Sequence, residues 1–239
     1  MKEGNLRIFG SPDETARAFG DYLIGRISKS DMFHCALSGG STPKLLFRYL
    51  AEKYPDSEVW GKLHVYWGDE RCVPPHHEES NFKMTDDLLL SKVPIPKAHV
   101  HRVRGEDDPP EEAERYSDEV LKSTGSSSER PDFDMIILGM GEDGHTASIF
   151  PHQMELLESG QVCAVASHPT SGQKRVTLTG PVINDAREVV FLVTGAGKKE
   201  KIKEIFEKSG AWETYPTSFI HPENGSLVWF MDEAAADGL

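Results

Sequence analysis

The segment Leu138-Gly139-Met140-Gly141-Glu142-Asp143-Gly144-His145-Thr146-Ala147-Ser148 sets three glycines around two carboxylates and an imidazole. Histidine changes charge near neutral pH, so His145 is the natural general base, with Asp143 or Glu142 close enough in sequence to orient it. So much glycine costs conformational entropy and implies a backbone placed tightly against something. The plainer alternative is a capping histidine at a helix start. A second segment, Ser38-Gly39-Gly40-Ser41-Thr42-Pro43, has the makings of an anion cradle. Gly39 and Gly40 let a ligand approach the backbone, free N–H groups open a helix, and Ser41 and Thr42 add hydroxyls. It lacks the Gly-Lys-Ser/Thr ending of a Walker loop and the Gly-x-Gly-x-x-Gly spacing of a dinucleotide site. Its alternative is an ordinary turn with Thr42 as the helix N-cap.

Two further segments carry charge. Gly68-Asp69-Glu70-Arg71 can orient sugar hydroxyls or move protons, and Arg71 can grip an oxyanion with two donors. A local ion-pair cluster is the alternative. Thr194-Gly195-Ala196-Gly197-Lys198 repeats the anion logic of the first cradle, and Lys174-Arg175 ahead of Val176–Thr179 adds cations unless it is a solvated basic pair. His76-His77 and His99-x-His101 have no acidic or cysteine partner at ligand spacing, so they are assigned to the surface or to satisfied core positions, and no metal site is predicted.

The elements that must position these groups are short apolar runs alternating with helical patterns. Leu6–Phe9, Phe33–Leu37, Leu63–Trp67, Met135–Leu138 and Val189–Thr194 read as strands, the last two dense enough to be buried on both faces. Ser11-Pro12-Asp13-Glu14 is a capping box with proline at the first helical position, and Ala16, Phe19, Leu23 and Ile27 follow at helical spacing. A helix is expected from near Pro43, with Leu46, Tyr49 and Leu50 inward, and another from about Asn81 to Leu90. Such alternation predicts an α/β fold, doubly wound and Rossmann-like: a mostly parallel open sheet with helices on both faces. In that architecture ligands bind beyond the carboxyl ends of the strands, where the chemical segments lie. The acidic stretch Glu106–Glu119 reads as a solvated helix, and the Ser-rich run Ser123–Ser128 as a surface insertion within a single domain spanning 1–239.

The 239 residues carry 39 acidic side chains against 26 Lys and Arg, a net charge of −13, with 38% hydrophobic residues. That excess repels nucleic-acid phosphates and anionic lipid, so no nucleic acid and no membrane partner is expected. No apolar run approaches the ~20 residues of a membrane span, and the start Met1–Arg7 has no signal-peptide core. Cys35, Cys72 and Cys163 are odd in number, widely spaced and without a Cys-x-x-Cys pair, which fits a reducing cytoplasm. A basic pocket within an acidic shell suits a small phosphorylated metabolite better than a polymer.

At these residues the chain resembles the glucosamine-6-phosphate isomerase/6-phosphogluconolactonase family. The matching motifs are Ser38–Pro43, Asp69-Glu70-Arg71 with Ser80-Asn81-Phe82, Gly141–Pro151, Arg175-Val176-Thr177-Leu178-Thr179, and Thr194-Gly195 with Lys198, together with the stretch around Trp229. They run in order along nearly the whole chain, and Asp-Gly-His-Thr-Ala-Ser is highly specific. The deaminase branch continues with Ile-Ala-Phe-Asn-Glu-Pro where this chain has Thr146–Pro151, and it lacks the arginine of Asp69-Glu70-Arg71. Both differences favour the lactonase branch. The chain departs from the lactonase pattern at Gly172-Gln173-Lys174, where a double proline is usual, and at His152, where glycine is common.

The resemblance implies a fold of the deaminase/lactonase type and hydrolysis of 6-phospho-D-glucono-1,5-lactone to 6-phospho-D-gluconate, the second step of the oxidative pentose phosphate pathway. In that reading His145 takes the proton of the attacking water, assisted by Asp143, and Asp69 contacts sugar hydroxyls or orients the water. Backbone N–H groups of the Gly139–Gly144 turn, Gly141 and Gly144 among them, would hold the developing oxyanion. Ser41, Thr42, Arg175 and Lys198, with Gly39 and Gly40 and possible help from Arg71, would hold the phosphate. A lactone is an activated ester, so no cofactor, metal or covalent nucleophile is called for; Ser41 and Ser148 lie outside Gly-x-Ser-x-Gly. The partner is a small-molecule sugar phosphate lactone, and the working form a monomer or homodimer.

Overall fold

Short apolar runs become the strands of a parallel sheet in the computed structural model, which describes residues 5–125 and 130–239. The strands are β1 (Leu6–Phe9), β2 (Phe33–Leu37), β3 (Leu63–Trp67), β4 (Asp69–Arg71), β5 (Met135–Leu138), β6 (Cys163–Ser167), β7 (Lys174–Leu178), β8 (Glu188–Val193) and β9 (Ser226–Asp232). Six of them form one sheet in the order β1-β9-β8-β5-β2-β3, every neighbouring pair parallel. The central strands β2, β5 and β8 are buried at every position, as dense apolar runs should be in a sheet covered on both faces. The expected doubly wound α/β architecture is present. The chain runs outward from β2 to β3, returns to β5, and runs outward the other way through β8 and β9. The seam between β2 and β5 is therefore the switch point, where the loops after these two strands diverge and leave a crevice.

A second sheet, β4-β7-β6, is antiparallel and is not legible in the sequence pattern. Its register sets Asp69 opposite Thr177 and Arg71 opposite Arg175.

The helices are α1 (Pro12–Ile27), α2 (Ser41–Lys53), α3 (Asn81–Thr85), α4 (Pro109–Ser123), α5 (Gly180–Asp185), α6 (Lys199–Glu207) and α7 (Glu233–Ala236). Ser11 caps α1 by accepting from the Glu14 N–H at 3.2 Å, and Glu14 reaches back to the Gly10 N–H, one residue before the reciprocal partner of an ideal capping box. Ala16, Phe19, Leu23 and Ile27 are all buried. Helix α2 starts two residues earlier than expected. Its N-cap is Gly40, at φ +114°, without a side-chain cap, so Thr42 is not the capping residue. Leu46 and Leu50 point inward as expected, but Tyr49 stays half-exposed because its hydroxyl reaches Asp21 at 2.6 Å; Phe47 is buried instead. The expected helix to Leu90 is α3 followed directly by a π turn over Asp86–Leu90.

Helix α4 corrects the reading of Glu106–Glu119 as wholly solvated. Glu112 is 1% exposed and bound by Arg115 at 2.6 and 2.7 Å and by the Arg104 N–H at 2.7 Å. A carboxylate enters that interior only because its lone pairs are filled. The residues 1–4 at the start of the chain and Ser126, Ser127 and Ser128 lie outside the described residues. Among the described residues no helix is long and apolar enough to cross a membrane. The three cysteines are free, Cys35 and Cys163 buried and Cys72 partly so.

Candidate active site

One cavity of about 230 Å³ opens at the β2/β5 seam. Gly39, Gly40, Ser41, Thr42, Asp69, Arg71, Gly141, His145, Arg175 and Lys198 all line it, drawn from loops that follow β2, β5 and β8 and from the second sheet. Asp143 and Gly144 do not line it, and Asp143 meets it only through His145.

His145 is fixed by its own loop. Asp143 Oδ1 accepts from the His145 backbone N–H at 3.1 Å and lies 2.6 Å from Nδ1. Burial raises the Asp143 pKa, but the hydrogen bond and charge of His145 outweigh it and bring the carboxyl down to about 2. An ionised carboxylate can only accept, so Nδ1 carries a proton, and in the neutral ring the lone pair is on Nε2. Asp143, rather than Glu142, is thus the orienting acid; Glu142 instead sits against Gly197, next to Lys198. Phe150 backs the imidazole with ring centroids 4.7 Å apart, and His152 stacks on Phe150 in turn. The loop is closed by a tight turn in which Ala147 takes φ +47°, a strained value for a residue with a Cβ.

The expected oxyanion donors are a correction. The Gly141 N–H donates to the His145 carbonyl at 2.9 Å and the Gly144 N–H to the Gly141 carbonyl at 3.1 Å. Both are consumed in holding the loop, and neither is free for a ligand.

The second sheet explains the charged segment. Side chains alternate along β4, so Asp69 and Arg71 share one face with Arg175 and Thr177 of β7, and that face meets the cavity. Glu70 points the other way and is 2% exposed. It accepts from the N–H groups of Arg71, Asn81 and Phe82 at 2.7–2.8 Å and from the Ser80 hydroxyl at 3.0 Å. Burial raises its pKa, and these hydrogen bonds oppose the rise without cancelling it. Its task is to pin the start of α3 to β4. Glu70→Ala should leave several buried donors unpaired and cost about 3 kcal/mol. A melting curve should fall by roughly 6–12 °C; an unchanged Tm would show that Glu70 does not pin this helix to β4.

Arg175 is held loosely for a buried guanidinium. It reaches Ser148 Oγ at 3.4 Å and Asp69 at 3.8 Å, stacks over Phe150, and has a buried Nε with no partner among the described residues. Burial lowers its pKa, Asp69 opposing and Arg71 adding to the fall. Lys198 is likewise lowered by burial, with Glu142 and Asp143 opposing. Cations disfavoured by burial gain when an anion joins them. Lys174, by contrast, is exposed and bonds Ser167. Arg71 donates to the Glu79 carbonyl at 2.5 Å, and Gln173 donates to the Glu79 carboxylate at 3.0 Å, so Gln173 ties its turn to this wall. Ser148 Oγ donates to Asp69 at 2.7 Å and is fully buried, a structural hydroxyl. Thr42 and Thr194 join hydroxyls at 2.7 Å, tying the first cradle to the loop after β8.

One cavity residue went unassigned in the sequence reading although its motif was visible: Asn81, 2% exposed and lining the cavity. A Cβ on Gly39 would overlap its amide, so Gly39 is small to seat Asn81 as well as to face a ligand. Of the doubtful histidines, His76 and His77 are exposed, and His101 is buried between Glu119 at 2.8 Å and His64 at 3.1 Å; the described residues hold no cluster suited to a metal ion.

Comparison with known proteins gives the chain its relatives. The family model for glucosamine-6-phosphate isomerases/6-phosphogluconolactonase matches residues 11–229. The chain is 44% identical over 196 residues to a 6-phosphogluconolactonase of Treponema pallidum, covering 80% of this chain and 81% of that protein. It is 43% identical over 203 residues to one of Haemophilus influenzae, covering 84% and 85%. The solved structure of 6-phosphogluconolactonase from Trypanosoma cruzi superposes with a TM-score of 0.88 at 30% identity, covering 98% of this chain and 96% of that one. With the family model matching most of its length and relatives above 40% identical over four fifths of it, the chain belongs to the glucosamine-6-phosphate isomerase/6-phosphogluconolactonase family.

Proposed function

We propose that the chain hydrolyses 6-phospho-D-glucono-1,5-lactone to 6-phospho-D-gluconate, the lactone-opening step of the oxidative pentose phosphate pathway, with His145 as general base. The observation that carries this reading is the shared cavity: an imidazole held by Asp143 opens onto the same space as Lys198, Arg175 and the uncapped start of α2. His145 Nε2 takes a proton from water while the water oxygen bonds to the lactone carbonyl carbon. The tetrahedral intermediate collapses, the C1–ring-oxygen bond breaks, and the proton passes to the departing ring oxygen. The phosphate lies among Ser41, Thr42, the backbone at Gly39 and Gly40, Arg175 and Lys198, with Arg71 completing the positive wall. Asp69 faces the sugar hydroxyls. The whole chain, 1–239, works as one domain in the cytoplasm, where its free thiols are at home.

The test generates the lactone in situ by oxidation of glucose 6-phosphate and follows its disappearance above the spontaneous rate. Acceleration by catalytic amounts of protein, with no ammonia released from glucosamine 6-phosphate, is the expected result. Ammonia release would assign the chain to the deaminase reaction, and ligand-dependent stabilisation without turnover to a sugar-phosphate sensor.

A further inference from the structure

Donors line most of this cavity, whereas a sugar ring presents hydroxyls that must also donate. Besides hydroxyls and His145 Nε2, the acceptors on its side chains are a carboxylate and an amide. Asp69 gives one carboxylate oxygen to Ser148 and leans toward Arg175. Asn81 is the other candidate, and every polar atom of it except one is already committed. Its N–H donates to Glu70 at 2.8 Å, its carbonyl accepts from the Thr85 hydroxyl at 2.8 Å, and its Nδ2 donates to the Asp69 carbonyl at 2.9 Å. A backbone carbonyl can only accept, so the last of these fixes which end of the amide is nitrogen. The oxygen Oδ1 therefore lies at the Gly39 side of the cavity, and no donor among the described residues reaches it. The oxygen is not sealed in the interior but keeps some exposure, and it opens onto the cavity that Asn81 lines, where a ligand hydroxyl would pair with it.

We propose that Asn81 is a specificity-determining residue: its Oδ1 accepts a hydrogen bond from one secondary hydroxyl of the bound sugar lactone. The assignment rests on the lactonase reading above and deepens it. Glu70 is then the support of that contact, because it holds the Asn81 backbone while Asp69 holds the amide.

The experiment compares wild type, Asn81→Ala and Asn81→Asp on 6-phosphogluconolactone and on its 2-, 3- and 4-deoxy analogues, with folding checked by melting. For Asn81→Ala the KM of the full substrate should rise about 3- to 10-fold, the value of one hydrogen bond, with kcat little changed. For one deoxy analogue the wild type should already show that rise, and Asn81→Ala should add nothing to it. Asn81→Asp keeps an acceptor and should keep the discrimination against that analogue. A penalty equal on all four lactones, or equal in both variants, would make Asn81 merely structural and overturn the proposal. Absence of wild-type turnover on every lactone would instead overturn the lactonase reading itself.

Discussion

His145→Ala is expected to lower kcat for the lactone by about 10²–10⁴-fold, the usual share of a positioned general base, while the melting temperature stays close to that of the wild type. The two halves of this expectation come from different features. The imidazole is partly exposed to the cavity, and among the described residues only Asp143 bonds its ring, so removing it opens no large void. The loop keeps its other ties: Thr146 Oγ1 to the Gly139 carbonyl at 2.9 Å, Ser148 N–H to Thr177 at 3.1 Å, and Thr217 Oγ1 to the Gly144 carbonyl at 2.9 Å. Asp143 supplies a pH control. With a folded pKa near 2, below the ordinary 3.8, its pairing is fully present above about pH 4 and is lost as pH falls toward 2. A loss of rate above pH 5 therefore does not come from this carboxylate. Full activity of the alanine variant in the initial-rate assay would end the general-base assignment.

How far the sequence foretold this site depends on which physical rule placed each residue. His145, Lys198 and the α2 cradle were legible because each follows a strand of the parallel sheet, and that topology puts the ends of β2, β5 and β8 along one edge. Arg175 was visible only as half of a basic pair. Its partner Lys174 points to solvent, and the choice between them is made by antiparallel pairing with β4, a contact between segments about 100 residues apart that no local period announces. The same pairing separates Asp69 and Arg71 from Glu70, three charges that look equivalent in sequence. The oxyanion assignment failed for a related reason. Glycine marks where a backbone is free to bend, but the bond each N–H makes is settled by the closed loop, and here Gly141 and Gly144 spend theirs on it. Asn81 was quoted within a motif and given no role, because its amide acquires meaning only when Gly39 and Asp69 are beside it.

The two glycines flanking Asp143 should respond differently to the same substitution. At Gly141 an added methyl would overlap His145 Nδ1 and the Asp143 carboxylate, and it meets nothing else as closely. Those are side-chain atoms that can swing aside, so the chain still folds, and alanine even restricts the unfolded state slightly in its favour. The imidazole, however, must leave its bond to Asp143 and its aim into the cavity. A displacement of about 1 Å in a catalytic group can cost ~10²-fold, so Gly141→Ala should lose about that much in kcat with KM and Tm nearly unchanged. At Gly144 the backbone sits at φ +84° and the methyl would strike the Tyr215 ring, which is anchored through its hydroxyl to Glu204 at 2.5 Å. There the obstacle is a packed wall together with a left-handed backbone, so Gly144→Ala should lower Tm and kcat together. Steady-state kinetics beside melting curves for the two variants decide the matter. Equal losses of stability would mean that Gly141 serves the fold, whereas a silent Gly141→Ala would mean that the imidazole does not need the place in which Asp143 holds it.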